Sequence, residues 1–214
     1  MADLKIVELG KISVDSGIVF IGDPFLQNLD ESDFWNHIEE TTENKNCNSS
    51  PIVKNGVVVP SGVGDGIYTV LAGVDEWGNI HSISIDFTSP VMMMLQHHMQ
   101  IEEVVGSLIQ VSSGLLYMGD PAYTICSCCG GSQLLEIAEN SYSDVKETAL
   151  YADEFDETED VNFDNVTSGM CIPAGIGIGI YEVNLTVDDN GTVYSLSIEF
   201  SSPALDLVSG ELNS

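Results

Sequence analysis

The chain has 214 residues, of which 34 are acidic and 5 are basic, and its formal charge is −29. All five basic residues are lysines, so we expect no basic groove for nucleic acid, no bidentate arginine contact with phosphate and no attraction to an anionic membrane. A hydrophobic content of 43% and a mean hydropathy of +0.13 are nevertheless sufficient for a packed core in one or two domains.

The first residues, Met1–Lys5, run into mixed sequence that is not typical of a secretory signal. No apolar run reaches the roughly 18 residues of a membrane span. Five cysteines, three of them crowded into 126–129, make a poor disulfide framework. We therefore expect reduced thiols in a cytoplasm.

Two segments of the chain occur twice, which indicates a tandem duplication. Segment 14–24 recurs as 111–121 with 6 of 11 positions identical, and 59–90 recurs without gaps as 172–203 with 16 of 32 identical. The predicted domains are repeat A (1–90), a Met-rich linker (91–104), repeat B (105–203, with an acidic insertion at about 144–164) and a tail (204–214).

Both copies of the second segment predict a β-hairpin. In 181–200 apolar and polar residues alternate on either side of Asp188–Gly191, and this alternation predicts strands with one buried face. An Asn-Gly pair favours a tight turn, because both residues tolerate positive φ. Repeat A has the same pattern around Asp75–Gly78, so Phe87 and Phe200 should be buried at equivalent positions.

The remaining segments predict short elements. Apolar runs at 17–21 and 114–118, each ending in Gly-Asp-Pro, predict central strands. Short helices are predicted at Asp30–Glu40 and Ser132–Ala138, and Val91–Val105 is either a helix packed across both repeats or an extended crossover. The predicted fold class is mostly β (α+β), with two tandem, pseudo-symmetric small units and short helices.

The glycine-rich motif of each repeat is a weak candidate for ligand binding. Gly62, Gly64 and Gly66 run into a strand with no lysine, which favours a glycine-permitted bend over a nucleotide-binding loop. The weak ligand-binding candidates lie in this motif, in its copy and in the Gly-Asp-Pro turns: Asp23, Gly62, Gly64, Asp65, Gly66, Tyr68, Asp120, Gly175, Gly177 and Tyr181.

The aspartates of the Gly-Asp-Pro turns, Asp23 and Asp120, have two interpretations. Each can accept a backbone hydrogen bond in a turn. In repeat A a chemical role is also open, because Asp15 or Asp65 can supply a second acidic group. The aligned residues of repeat B are not acidic, and this asymmetry favours a structural role.

The best metal candidates are the cysteines Cys126, Cys128, Cys129 and Cys171. Adjacent cysteines on a strand point to opposite faces, and the spaced Cys-x2-Cys pairs of structural zinc sites are missing. We therefore expect no metal and no cofactor. His81 lies in phase with the apolar residues of its hairpin, and its counterpart is Tyr194, so it is predicted as a core or rim residue.

The motif Val-Asp-Ser-Gly…Gly-Asp-Pro at 14–24, with Gly-Asp-Gly-x-Tyr-x-Val at 64–70 and Ile-Asp-Phe at 85–87, resembles a family of uncharacterised domains from bacteria and their phages. The resemblance implies a small β-rich fold, a bacterial or phage source and, for a phage protein, the host cytoplasm. The chain departs from the family pattern at Phe25 and Ala122, where a cysteine is common, and at Ile178, where an aspartate is usual.

No nucleophile elbow, zinc-protease helix or Cys/His pairing is present, so no catalytic residue is predicted. The favoured function is a non-enzymatic interaction protein whose negative field attracts a basic partner, such as a nucleic-acid-binding or defence protein that a phage inhibitor or decoy would occupy. The alternative is a small-ligand binder with a pocket between the repeats. The sequence leaves the oligomeric state open.

Overall fold

The computed structural model describes residues 4–24, 52–53, 56–62, 64–88, 101–124, 166–175 and 177–200. The predicted β-rich class is confirmed, since these residues form two sheets. The described residues contain none of the predicted short helices. They contain one four-residue helix, α1 (Pro121–Thr124), which begins at a proline, a residue that favours the first turn of a helix. The segments predicted as helices, 30–40 and 132–138, lie outside the described residues.

Repeat A contributes six strands: β1 (Lys5–Val14), β2 (Ile18–Gly22), β3 (Ile52–Val53), β4 (Gly56–Pro60), β5 (Gly66–Val74) and β6 (Ile80–Asp86). Repeat B, together with the last four residues of the predicted linker, also contributes six: β7 (Ile101–Val111), β8 (Leu115–Gly119), β9 (Val166–Thr167), β10 (Gly169–Pro173), β11 (Gly179–Asp188) and β12 (Val193–Glu199). The larger sheet has the order β7-β11-β12-β6-β5-β1-β9, and the smaller sheet has the order β10-β8-β2-β4-β3. Both sheets therefore contain strands of both repeats.

A pseudo-twofold axis relates the two repeats. In the larger sheet Ser84 pairs with Ser197, and in the smaller sheet Ile21 pairs with Met118. Each residue of these pairs is the counterpart of the other in the duplication, so the axis passes between them. Apart from β3 and β9, exchanging the repeats reproduces the strand order of both sheets.

The core lies between the sheets and is built from the predicted alternation. Phe87 and Phe200 are fully buried, as predicted, and they belong to the same cluster as apolar residues of both sheets. Each ring packs edge-on against a tyrosine of its own repeat, Tyr68 at 5.1 Å and Tyr181 at 5.2 Å between ring centroids. The hairpins thus fix the aromatic residues that border the glycine-rich motifs.

The smaller sheet is buried more completely than the larger one. Every residue of β2 is buried, and so are the first four residues of β4. Strands that are buried on both faces read as continuous apolar runs rather than as alternation, which explains the apolar run at 17–21. These strands hold the Gly-Asp-Pro turns in the interior.

Candidate functional site

The two Gly-Asp-Pro carboxylates are exchanged between the repeats. Asp23 follows β2 in repeat A and is fully buried. Its Oδ2 accepts hydrogen bonds from the backbone N–H groups of Ser112 and Ser113, at 2.6 and 2.7 Å, in the turn between β7 and β8 of repeat B. The carboxylate of one repeat therefore closes a turn of the other.

Asp120 makes the reciprocal contact with the turn between β1 and β2. It is fully buried, and its Oδ2 accepts hydrogen bonds from the N–H groups of Asp15 and Ser16 at 2.5 and 2.9 Å. Its Oδ1 accepts from the Ser16 hydroxyl at 2.8 Å and from the N–H of Ala122 at 2.7 Å. Ser16 is not among the candidate residues predicted from the sequence, although this serine is present in both copies of the motif.

Because of this exchange, the acidic residues that lie near one another are not those that are close together in the sequence. Asp120, rather than Asp23, lies at the turn that contains Asp15. A Cβ at Gly17 in that turn would be 3.9 Å from Oδ1 of Asp65, so Asp65 borders the same turn. Asp15, Asp65 and Asp120 therefore lie around one turn, whereas Asp23 lies at the turn of repeat B. A carboxylate that accepts two or more backbone N–H bonds at short range is suited to holding a turn.

Tyrosine hydroxyls close the glycine-rich motifs. The Tyr68 hydroxyl donates to the carbonyl oxygen of Gly64 at 2.6 Å, and the Tyr181 hydroxyl donates to that of Gly177 at 2.8 Å. Burial raises the pKa of both tyrosines, so both hydroxyls stay protonated and remain donors at neutral pH.

Two of the motif glycines allow the repeats to approach each other. Gly62 has a φ of 60° and Gly175 a φ of 42°, a region that favours glycine. A Cβ at Gly62 would collide with the carbonyl oxygen of Val193 in the other repeat, and a Cβ at Gly175 would collide with that of Ile80. These glycines have a packing role at the junction of the repeats.

The junction of the repeats, where the small-ligand alternative places a pocket, consists in the described residues of paired strands. β6 pairs with β12, and β2 pairs with β8. Backbone hydrogen bonds of 2.8 Å from Phe87 to Tyr194 and from Phe200 to His81 add to this pairing. Of the weak ligand-binding candidates, Asp23 and Asp120 follow β2 and β8. The glycine and tyrosine candidates lie before or within the first residues of β5 and β11, where each tyrosine hydroxyl bonds to a glycine of its own motif.

The hairpin turns contain a second pair of equivalent contacts. Nε2 of His81 lies 3.0 Å from Oδ2 of Asp75, and this bond, together with turn hydrogen bonds, holds the pKa of Asp75 well below its usual range. The Tyr194 hydroxyl donates to Oδ2 of Asp188 at 3.0 Å. Burial alone would raise the pKa of Asp188, but the hydrogen bonds from its turn and from Tyr194 outweigh burial and lower it.

The metal candidates are not assembled in the described residues. Cys171 is buried in β10, while Cys126, Cys128 and Cys129 lie outside these residues. No group of three or more His, Cys, Asp or Glu residues in the described part of the chain can hold a metal ion. Nor does that part contain a helix long and apolar enough to span a bilayer.

Comparisons with protein-family models, with curated proteins and with solved structures gave no match. The resemblance of the repeats to uncharacterised bacterial and phage domains therefore stays a prediction. The candidate site is described by the geometry of this chain alone.

Proposed function

We propose that the protein binds a basic protein partner and is not an enzyme. The observation that carries the proposal is the charge: −29 over 214 residues, with no arginine. A field of this sign and size accelerates association with a positively charged surface and disfavours negatively charged partners.

The arrangement of charges on the larger sheet supports this proposal. Asp86, Glu103 and Glu199 are exposed on its strands. Asp86 pairs with Ser195 and Glu199 pairs with Ser82 across β6 and β12, so acidic groups are spread over the centre of the sheet. The lysines of the described residues, Lys5 and Lys11, both lie on β1.

The roles of the candidate acidic residues also support it. Asp23 and Asp120 are fully buried and accept backbone hydrogen bonds across the repeats. Chemistry on an external substrate would require these groups to exchange such bonds for contacts with the substrate. Their geometry is better suited to stability than to catalysis.

A nucleic-acid-binding or defence protein fits this charge, because its functional surface is basic. Occupying that surface would make the chain an inhibitor or a decoy, acting in the cytoplasm of a bacterial host. This finer proposal rests on charge complementarity and on the resemblance of the repeats to bacterial and phage domains.

The test is affinity capture from bacterial lysate, followed by association kinetics with the captured protein. The association rate should fall at least about tenfold as the screening length drops from about 10 Å at 0.1 M salt to about 3 Å at 1 M. Asp86→Asn with Glu199→Gln should slow association more than it speeds dissociation. Capture that is indifferent to salt refutes the proposal, as does a reaction that Asp65→Asn abolishes without unfolding the chain.

A further inference from the structure

The larger sheet ends differently on its two sides, although β1 and β7 are counterparts in the duplication. β1 is paired along its outer edge with β9, in parallel, at Lys11 and Ile12. No strand of the described residues pairs with the corresponding edge of β7. β3, the counterpart of β9, forms its hydrogen bonds with β4 instead. Among the described residues, β7 therefore has no hydrogen-bonded strand on its outer side, although β3 lies close to it.

The side chains of β1 and β7 also differ at equivalent positions. Glu8 and Lys11 of β1 form an ion pair of 3.8 Å. Their counterparts on β7 are Val105 and Leu108, with exposed fractions of 58% and 37%. The pairing registers of β1 with β5 and of β7 with β11 place these residues at equivalent positions. Charged residues, lysine above all, protect edge strands from pairing. At these two positions β1 has charged residues and β7 has apolar ones, whereas exposed Ile6 of β1 has Glu103 as its counterpart on β7.

The surroundings of β7 are acidic. Glu102 and Glu103 are exposed on the strand itself, and Glu182 of β11 lies opposite Leu108. Ser107, beside the bulge of β7, is only 8% exposed, and its hydroxyl has no hydrogen-bond partner in the described residues. The outer side of β7 thus combines backbone groups that no described strand pairs with, exposed apolar side chains and negative charge, with an unsatisfied hydroxyl buried beside the bulge.

We propose that the partner docks on the edge of β7 by adding an extended segment of alternating basic and apolar residues as a further strand. Main-chain hydrogen bonds would supply affinity, as in other cases of strand addition. Apolar side chains would contact Val105 and Leu108, and lysines or arginines would contact Glu102 and Glu103. This inference rests on the proposed function, since the basic nature of the partner comes from the charge of the chain.

A second copy of the chain is a poorer occupant of this edge. Antiparallel pairing of two β7 strands would bring Glu102 and Glu103 of both copies to one interface. Each copy also carries a charge of −29, so their repulsion opposes association. A basic segment would neutralise the negative charge beside β7, whereas a second copy would double it.

The first experiment uses a short peptide of alternating lysine and valine, with binding followed by fluorescence anisotropy. Its control is the same peptide with alternate backbone nitrogens methylated, which keeps the charge but removes the donors that pair with an edge. The unmodified peptide should bind at least about tenfold more tightly and should slow amide hydrogen exchange in 101–108. Equal binding of both peptides, no binding of either, or protection elsewhere on the chain overturns the proposal.

The second experiment changes the edge without changing the net charge. The double variant Val105→Glu/Leu108→Lys copies the ion pair of β1 onto β7 and should weaken peptide binding at least about tenfold. Its matched control is Ile6→Lys/Ile67→Glu, on β1 and the neighbouring β5 at the other side of the sheet. Both control residues are also exposed, by 63% and 55%. The control should bind within about twofold of the wild type.

These measurements separate the two proposals. If the edge variant captures the basic lysate protein and binds the peptide as the wild type does, the edge proposal is wrong and the proposed function stands. If the wild type captures no basic protein, the proposed function is wrong, and the peptide results alone decide whether the edge accepts a strand.

Discussion

Replacing Asp23 with alanine tests the exchange of carboxylates between the repeats. Its Oδ2 accepts two backbone N–H bonds, from Ser112 and Ser113, and the side chain is fully buried. A hydrogen bond to a charged group contributes about 1.5–3 kcal/mol, so losing two should lower the free energy of unfolding by about 3–6 kcal/mol. Typical domains are stable by about 5–15 kcal/mol, so Asp23→Ala should leave a chain that is only marginally folded.

The assay is urea unfolding of the full chain at neutral pH. Asp120→Ala should likewise cost at least about 3 kcal/mol, because Asp120 accepts N–H bonds from Asp15, Ser16 and Ala122 and a hydroxyl bond from Ser16. The matched control is Asp189→Ala in an exposed turn, where the same change should cost less than about 0.5 kcal/mol.

Amide hydrogen exchange shows where the bonds were lost. In Asp23→Ala, exchange should accelerate at Ser112 and Ser113, which are 89 and 90 positions away along the chain. A loss of stability below about 1 kcal/mol, or faster exchange only around position 23, would mean that the carboxylate does not hold the turn of the other repeat.

Two further predictions concern the hairpins. Phe87→Ala and Phe200→Ala should each lower the free energy of unfolding by about 3–5 kcal/mol, since each removes a fully buried ring; a cost below about 1 kcal/mol in urea unfolding would contradict the core assignment. Because the His81 bond lowers the pKa of Asp75, its stabilisation should be present above pH about 4 and lost as the pH falls through the lowered folded-state pKa. Unfolding curves of the wild type and Asp75→Asn should therefore differ at higher pH and converge in acid, and a constant difference would refute the assignment.

The hairpins could be predicted because the residues that determine their strands and turns are close together in the sequence. The alternation in 181–200 sets the buried face of each strand, and Asp188–Gly191 sets the turn, without reference to the rest of the chain. The duplication then predicts a second hairpin of the same kind. In both copies the residues expected to be buried, such as Phe87 and Phe200, are buried.

The exchange between the repeats could not be predicted in the same way. Each repeat has a Gly-Asp-Pro turn and a Ser-Gly turn, so pairing within one repeat and pairing between repeats use the same residues. The donors to Asp23 are backbone N–H groups. Every residue except proline has such a group, so the residue types in the sequence do not reveal which residues donate. The chemical alternative, which was not favoured, grouped Asp23 with Asp15 or Asp65 of its own repeat, whereas in the fold Asp23 bonds to the turn of the other repeat.

Residues that are identical in the two repeats have a structural role, whereas positions that differ between the repeats can indicate a binding role. The shared residues, such as Asp23 with Asp120 and Tyr68 with Tyr181, hold turns and motifs inside the fold. The pseudo-twofold arrangement needs each of these contacts twice, which accounts for their presence in both repeats. The charged residues at the edge of β1 and the apolar residues at the edge of β7 are under no such constraint. A difference between equivalent surface positions is therefore better evidence of a binding role than any residue that both repeats retain.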